Sequence, residues 1–80
     1  MKVTVTIDRR HEIADPEGTT VRRALHELGF TETAEVRMDR VIHMDVEGDD
    51  EEAVRARVEE MCRQLLANPV LEDYRIEVSA

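Results

Sequence analysis

A helix that ends at a proline and leads into a strand is the feature that most constrains this fold. The segment from Val58 to Tyr74 reads V-E-E-M-C-R-Q-L-L-A-N-P-V-L-E-D-Y. Apolar side chains recur on one face of the predicted helix: Val58, Met61, Cys62, Leu65 and Leu66. Asn68-Pro69 ends that helix, because proline has no amide hydrogen and forces the residue before it out of helical dihedrals. The segment therefore predicts an element that docks on other structure.

The rest of the chain alternates between strand and helix patterns. Period-two alternation predicts strands at residues 2–8, at Val36 and Met38, at residues 42–46, and from Tyr74 to Val78. The pair Asp39-Arg40 is the predicted turn of a hairpin between the second and third strands. Helical spacing predicts one helix capped by Thr19 or Thr20 and ended by Gly29, and a second from about Asp50 to Ala67.

This order predicts an α+β fold in a single domain spanning residues 1–80. The elements follow one another as β-α-β-β-α-β, which is the order of ferredoxin-like two-layer sandwiches. We expect two helices on one face of a small, mostly antiparallel sheet. A core of this size contributes roughly 3–5 kcal/mol of net stability, and the sheet has open edges that can pair with another chain. Both properties predict a homodimer or a higher homo-oligomer.

The charge of the chain excludes several classes of partner. There are 11 Lys and Arg residues against 19 Asp and Glu residues, which gives a formal net charge of −8. That charge opposes binding to nucleic acid phosphates and to anionic membranes. One Phe and one Tyr cannot build the stacking platform of a single-strand binder. We therefore expect no nucleic acid partner and no membrane partner.

The use of cysteine and of apolar residues predicts a cytoplasmic location. Cys62 is the single cysteine, so no intrachain disulfide can form, which fits a reducing compartment. Met1-Lys2 leads directly into a polar alternating segment, whereas a signal peptide or a membrane span needs a long apolar run. The sequence predicts neither of those segments.

Residues that could carry chemistry do not form a recognisable constellation. His11, His26, His43 and Cys62 lack the local spacing of metal ligands, and Cys62 falls on the apolar stripe, where core packing is the favoured role. Asp49-Asp50 and Glu51-Glu52 lack the pattern of a calcium loop and favour helix capping. No phosphate-binding glycine motif is present. We predict no catalytic, cofactor-binding or metal-binding residue in this chain.

Six residues are candidates for contacts with a partner or with a second copy. They lie in two groups along the chain: Asp15, Gly18, Asn68, Pro69, Asp73 and Tyr74. The stretch from Asp15 to Gly18 either shapes a loop that touches a partner or leads into the first helix. Tyr74 either donates a hydrogen bond at an interface or packs at the start of a strand.

Longer motifs in the chain resemble a known family. They are D-P-x-G at residues 15–18, V-x-x-A-L-x-x-L-G-F at 21–30, V-R at 36–37, E-M-C at 60–62, and L-L-A-N-P-V-x-E-D-Y at 65–74. Together they resemble PurS, the small subunit of phosphoribosylformylglycinamidine synthase. The motifs occur in the family's order through nearly the whole chain, and the last one is the most specific.

The resemblance implies a non-catalytic assembly subunit in de novo purine biosynthesis. A large synthetase subunit of such an enzyme uses ATP and magnesium to form the amidine, and a glutaminase subunit releases ammonia from glutamine. The small subunit would bridge the two, support ammonia transfer, and bind no cofactor itself. The alternative is a free-standing dimeric regulatory module that binds a small molecule between its subunits.

Overall fold

The computed structural model describes residues 1–11 and 13–79, which form a three-stranded sheet and two helices. The strands are β1 (Lys2–Arg9), β2 (Arg40–Asp45) and β3 (Glu72–Ser79). The helices are α1 (Pro16–Glu27) and α2 (Glu51–Met61), and a π-helical turn at Cys62–Leu66 continues α2. The predicted α+β class and the antiparallel sheet are confirmed.

The central strand β1 organises the core. Strand order is β2-β1-β3, and β1 pairs antiparallel with both neighbours, with Val5 opposite Ile42 on one side and Ile76 on the other. Alternate side chains of a strand point to one face, so residues 3, 5 and 7 of β1 lie together under α2 and are 0–1% exposed. Val54 and Val58 of α2 close this core from above.

The π-helical turn changes which residues of the second helix face the core. The N–H of Ala67 donates to the carbonyl of Cys62, five residues earlier, so one extra residue is accommodated in that turn. Cys62 and Ala67 are therefore buried, whereas Leu65 points outward and is 82% exposed. The prediction that Leu65 belongs to the apolar stripe is wrong, because regular α-helical spacing does not include that extra residue.

Helix α1 begins earlier than the sequence suggested. Asp15, not Thr19 or Thr20, is the N-cap: its side chain accepts a hydrogen bond from the N–H of Gly18, and Pro16 occupies the first helical position. The predicted end is confirmed, since Gly29 has a φ of +101° and the N–H of Phe30 donates to the carbonyl of Leu25.

The predicted strand at Val36 and Met38 does not form within the chain. Residues 33–39, which we call the strap, form neither helix nor strand and pair with no strand among the described residues. In a hairpin, Val36 and Met38 would share the core-facing side of the sheet with Ile42 only if Met38 lay opposite Ile42. Residues 39–41 would then form a three-residue loop. Such loops place their last residue in a left-handed conformation, usually as glycine, and Val41 is β-branched.

Because the hairpin stays open, α1 extends beyond the sheet. The chain measures 50 × 26 × 14 Å and has a radius of gyration of 16.1 Å, whereas a compact domain of this length has about 12 Å. No apolar residue of α1 belongs to the described core or packs against it. The expectation that both helices cover the sheet is therefore corrected: within one chain, only α2 does. We call α1 and the strap together the lobe.

Candidate partner interface

Asp15 and Gly18 join α1 to the strap. The carboxylate of Asp15 is 8% exposed and accepts hydrogen bonds from the N–H of Gly18 at 3.0 Å and from the N–H of Met38 at 2.8 Å. These bonds favour the charged form, with Met38 contributing most, so the pKa of Asp15 lies below its usual value. Gly18 permits the close approach, since a Cβ there would lie 2.2 Å from the carbonyl oxygen of Val36.

Side chains of α1 hold the rest of the strap. Arg22 donates to the carbonyl of Ala34 at 2.9 Å, and the Nε2 of His26 lies 2.7 Å from the carbonyl of Thr33, to which it donates. This contact leaves the His26 side chain half-buried. The strap is therefore fixed along α1 even though it belongs to no sheet.

Arg37 connects the lobe to the sheet. Its guanidinium donates to the carbonyl oxygens of Arg9 at 2.7 Å and Arg10 at 3.3 Å, where the chain leaves β1. Arg9 in turn donates to the carbonyl of Ala14 at 2.9 Å. These arginines satisfy backbone acceptors and are not arranged as a free anion site.

Asn68 and Pro69 form a tight turn between the π-helical turn and β3. The side-chain oxygen of Asn68 accepts from the N–H of Val70 at 3.0 Å, and its carbonyl accepts from the N–H groups of Leu71 and Glu72. Pro69 accepts a 2.8 Å bond from Arg10 through its carbonyl. The predicted exit from the helix is therefore present, and both residues remain exposed at the surface.

Ion pairs attach this turn to the sheet. Arg10 lies 3.3 Å from Asp73, and Arg40 lies 2.8 Å from Glu72. Glu72 also accepts from the N–H of Asn68, and this bond is the first cause of its lowered pKa, with Arg40 adding to it. The sequence analysis did not identify the roles of Arg10, Arg40 and Glu72. Arg10 lies 63 positions from Asp73 along the chain, and Arg40 lies 32 positions from Glu72, so neither pair has a local spacing that could reveal it.

Tyr74 faces α2, away from the turn. Its hydroxyl donates to Glu59 at 3.0 Å, and this hydrogen bond, with the negative charge of the acceptor adding to it, raises the pKa of Tyr74. The sequence left two roles open for Tyr74, a hydrogen bond at an interface or packing at the start of a strand. Within the chain, Tyr74 packs between β3 and α2. The other five candidates therefore lie in two places, with Asp15 and Gly18 at the lobe and Asn68, Pro69 and Asp73 at the turn.

A groove of 350 Å³ lies between the lobe and the turn. Arg9, Arg40 and Glu72 line it from the sheet, Glu17 and Met38 from the lobe, and Asn68 from the turn. A second cavity, of 520 Å³, lies beside Asp15 and includes Arg22 and Arg37. The arginines that line both cavities already donate hydrogen bonds to partners within the chain.

Large apolar side chains are exposed on β2, where Val41 is 53% exposed, and at two further places. Leu28, Phe30 and Met38 of the lobe and its helix exit are 73%, 50% and 42% exposed. Leu65 and Val70, beside the turn, are 82% and 73% exposed. Exposed apolar side chains of this size are candidates for contacts with a partner.

The residues considered for metal binding are dispersed. In the part of the chain that the structure describes, no three His, Cys, Asp or Glu side chains converge on a possible ion. Cys62 is fully buried, and burial raises the pKa of its thiol. Asp50, one of the acidic pair, is the N-cap of α2 and accepts from the N–H of Glu52 at 3.1 Å. No helix among the described residues is long and apolar enough to span a membrane.

Comparison with known proteins identifies the family. The model of the family PurS, described as phosphoribosylformylglycinamidine (FGAM) synthase, matches residues 2–80. The chain belongs to the PurS family. The "Phosphoribosylformylglycinamidine synthase subunit PurS" of Methanocaldococcus jannaschii is 48% identical over 77 residues, which cover 96% of this chain and 93% of that protein.

Solved structures of PurS proteins share the fold, including the extended lobe. The crystal structure of Methanocaldococcus jannaschii PurS covers 98% of this chain and 94% of its own, with a TM-score of 0.88 and 46% identity. A chain in the structure of PurLQS from Thermotoga maritima gives a TM-score of 0.85 at 32% identity, covering 95% of this chain and 93% of that chain. Membership of the PurS family makes this chain a subunit of FGAM synthase in purine biosynthesis.

Proposed function

We propose that this chain is the assembly subunit that bridges the synthetase and glutaminase subunits of FGAM synthase and supports ammonia transfer between them. The similarity to a chain of PurLQS from Thermotoga maritima, over nearly the full length of both, carries this proposal. In this assembly the synthetase subunit uses ATP and magnesium, and the PurS chain binds no cofactor. The complex works in the cytoplasm.

The distribution of exposed apolar surface supports a bridging role. A bridge needs at least two contact regions, and exposed apolar side chains lie both at the lobe and at Leu65 and Val70. The turn that carries the second region is held by several hydrogen bonds and ion pairs at Asn68, Pro69 and Glu72. Side chains on a rigid support lose little conformational freedom when they bind.

We also propose that the working form is a homo-oligomer, with a dimer as its basic unit. The sheet has two open edges, and α1 lacks a partner for its apolar side within the described chain. Strand edges pair readily with other chains, and an elongated chain of this size buries little apolar surface alone. Dimerisation would supply the missing burial.

Reconstitution of the enzyme tests the bridging role. The purified chain, mixed with the two larger subunits, is expected to raise glutamine-dependent amidine formation and to co-elute with both. Activity with free ammonium should change much less, since that reaction bypasses ammonia transfer. Unchanged glutamine-dependent activity together with separate elution of all subunits would contradict the proposal.

A pair of variants tests the turn as a contact region. Leu65→Asp is expected to weaken co-elution with one large subunit, because a charge replaces an 82% exposed leucine at the contact. Ala56→Asp places the same charge on an exposed position of α2 and serves as the matched control. Equal co-elution of the two variants would exclude this turn from the interface.

A further inference from the structure

The outer edge of β3 carries backbone groups that point away from β1. The N–H of Arg10 donates to the carbonyl of Leu71 at 2.9 Å, so the backbone of Leu71 faces β1. Along an antiparallel ladder this direction alternates, so every second residue from Leu71 onward also faces β1. The N–H and C=O groups of Tyr74, Ile76 and Val78 therefore point to the outer edge, where a further strand could pair.

A side chain of α2 and the turn before β3 already use part of this edge. Arg55 donates through its guanidinium to the carbonyl of Ile76 at 2.7 Å, in a partly buried bond. Glu51 lies one helical turn earlier, 3.5 Å from the Arg55 guanidinium, and supports this position. At the start of the strand, the N–H of Glu72 donates to the carbonyl of Asn68 at 2.8 Å. Groups of the same chain therefore occupy the centre and one end of the edge.

Arg55 reaches the edge because of its position on α2. Val54 and Val58 of this helix are buried in the core, whereas Arg55 lies about 100° around the helix from Val54. Helix α2 contacts β3, so a long side chain at this position can extend over the outer edge of that strand. Arg57 lies on another side, beside the loop at residues 46–50. Arg57 is therefore a reference for a charge on α2 that lies away from β3.

The sequence of β3 is complementary to a second copy of itself in an antiparallel pair. If Ile76 lay opposite Ile76 of another copy, Arg75 would lie opposite Glu77 on both sides of the axis. Tyr74 would lie opposite Val78 on the other face of the strand. Opposite charges and aromatic–aliphatic pairs both stabilise neighbouring strands. An unprotected edge of this sequence would therefore favour association.

Other registers of the same pair are less favourable. A centre at position 75 or 77 places Arg75 opposite Arg75 or Glu77 opposite Glu77, and like charges directly opposite each other destabilise a strand pair. A centre at Tyr74 requires the N–H of Glu72, which already donates within the turn. The favoured register is therefore the one centred on Ile76.

We infer that Arg55 blocks the outer edge of β3 against pairing with the same strand of another copy. In the register centred on Ile76, the N–H of each Ile76 would donate to the carbonyl of the other. Arg55 already donates to that carbonyl, so pairing would require breaking a charge-assisted hydrogen bond and moving the guanidinium off the edge. Cationic side chains at sheet edges commonly prevent such association. This autoinhibitory contact is separate from the bridging role and does not depend on it.

Removal of the Arg55 guanidinium tests the block. Arg55→Ala is expected to form species of twice the mass of the unmodified chain's own assembly, because β3 can then pair with β3 of another copy. We expect association about a hundredfold stronger, since one charged hydrogen bond, worth about tenfold, no longer has to be broken in each copy. Native mass spectrometry over a range of concentrations measures this. Each comparison is with the unmodified chain at the same concentration, whatever its own oligomeric state.

Arg57→Ala is the matched control for Arg55→Ala. It removes the same charge from an exposed position of the same helix, so the two variants have equal net charge. Arg57→Ala should keep the assembly of the unmodified chain. If both variants assemble as the unmodified chain does, or if both form the larger species equally, the block by Arg55 is refuted.

A second substitution tests the register. Arg75→Glu, added to Arg55→Ala, would place a carboxylate opposite Glu77 on both sides of the axis, so the larger species should disappear. Arg57→Glu, added to Arg55→Ala, gives the same net charge but lies away from β3 and should leave the larger species in place. Larger species that persist with Arg75→Glu would overturn the strand pair centred on Ile76.

A conservative variant separates blocking from other effects of the substitution. The ammonium of Arg55→Lys keeps the charge and can donate to the carbonyl of Ile76, so this variant should assemble like the unmodified chain. If Arg55→Ala does not fold, Arg55→Met replaces it in the comparison, since it keeps an aliphatic side chain over β3 without the donor. Equal assembly of Arg55→Met and Arg55→Lys would then refute the block.

Discussion

Gly18→Ala is the change that most directly tests how the lobe is held together. Alanine is the better helix former, by up to about 1 kcal/mol, so propensity alone predicts that the substitution stabilises the chain. The structure predicts the opposite sign. The added Cβ would lie 2.2 Å from the carbonyl oxygen of Val36 and 2.9 Å from a carboxylate oxygen of Asp15. The strap would have to retreat from α1 by about 1 Å.

The magnitude follows from the cost of overpacking. Forcing an extra carbon into a close contact costs typically 1–3 kcal/mol, and a backbone oxygen cannot rotate away as a side chain does. After the gain in helix propensity, we expect a net loss of about 1–2 kcal/mol, or roughly 5–15 °C in melting temperature for a chain of this size. The amide of Met38, which donates to Asp15, should lose protection from hydrogen exchange at the same time.

Thermal unfolding at matched protein concentration, combined with hydrogen exchange, is the assay. Concentration must be matched because association contributes to the apparent stability of an oligomer. Thr19→Ala changes the neighbouring exposed residue without a close contact and is the control. A Gly18→Ala chain that melts higher than the unmodified chain, with the Met38 amide still protected, would refute the close contact between α1 and the strap.

Three further predictions concern the same framework. Hydrogen bonds from Met38 and Gly18 lower the pKa of Asp15 in the folded chain. The stability that the charged carboxylate contributes is therefore present above its unfolded pKa, near 3.8. That stability is lost as the pH falls through the pKa of the folded chain. The difference in unfolding midpoint between the unmodified chain and Asp15→Asn should therefore shrink from pH 6 to pH 3, and a constant difference would contradict the assignment. Leu65→Ser should change the free energy of unfolding by less than about 0.5 kcal/mol, whereas Val58→Ala should cost about 2 kcal/mol, because Val58 is fully buried. Denaturant titration of both variants checks that the π-helical turn directs the Leu65 side chain to the surface. Cys62→Ser should cost about 1–3 kcal/mol through burial of a hydroxyl but leave reconstituted activity largely intact, and a folded, inactive variant would show that the thiol does more than pack.

Sequence patterns predicted those elements whose residues signal their environment locally. Alternation from Val3 to Ile7 identified β1, since each side chain on the buried face is a β-branched aliphatic. Gly29 and Asn68-Pro69 marked two helix exits, because backbone conformation at such residues depends on their own covalent structure. The motifs at residues 15–18 and 65–74 likewise predicted the family, which the comparisons confirmed.

The errors arose where local patterns left alternatives of similar energy. Asp15, Thr19 and Thr20 can each cap a helix, and the contact of Asp15 with Met38, 23 residues away, belongs to the tertiary structure. Leu65 was assigned to the core because a single π-helical turn has no distinctive sequence pattern. Strand propensity at Val36 and Met38 was read as a hairpin, yet propensity does not state whether a neighbouring strand lies within reach.

The sequence by itself therefore determined the α+β class, the order of most elements and the PurS family, because these depend on residue spacing and on side chains that act within a few positions. Tertiary structure alone decided that the lobe extends from the sheet, that Arg10, Arg40 and Glu72 hold the helix exit, and that Leu65 faces solvent. Each of these depends on groups that meet from distant positions or on the packing of one element against another. Spacing along the chain carries no signal for such contacts, since their energies exist only once the chain has folded.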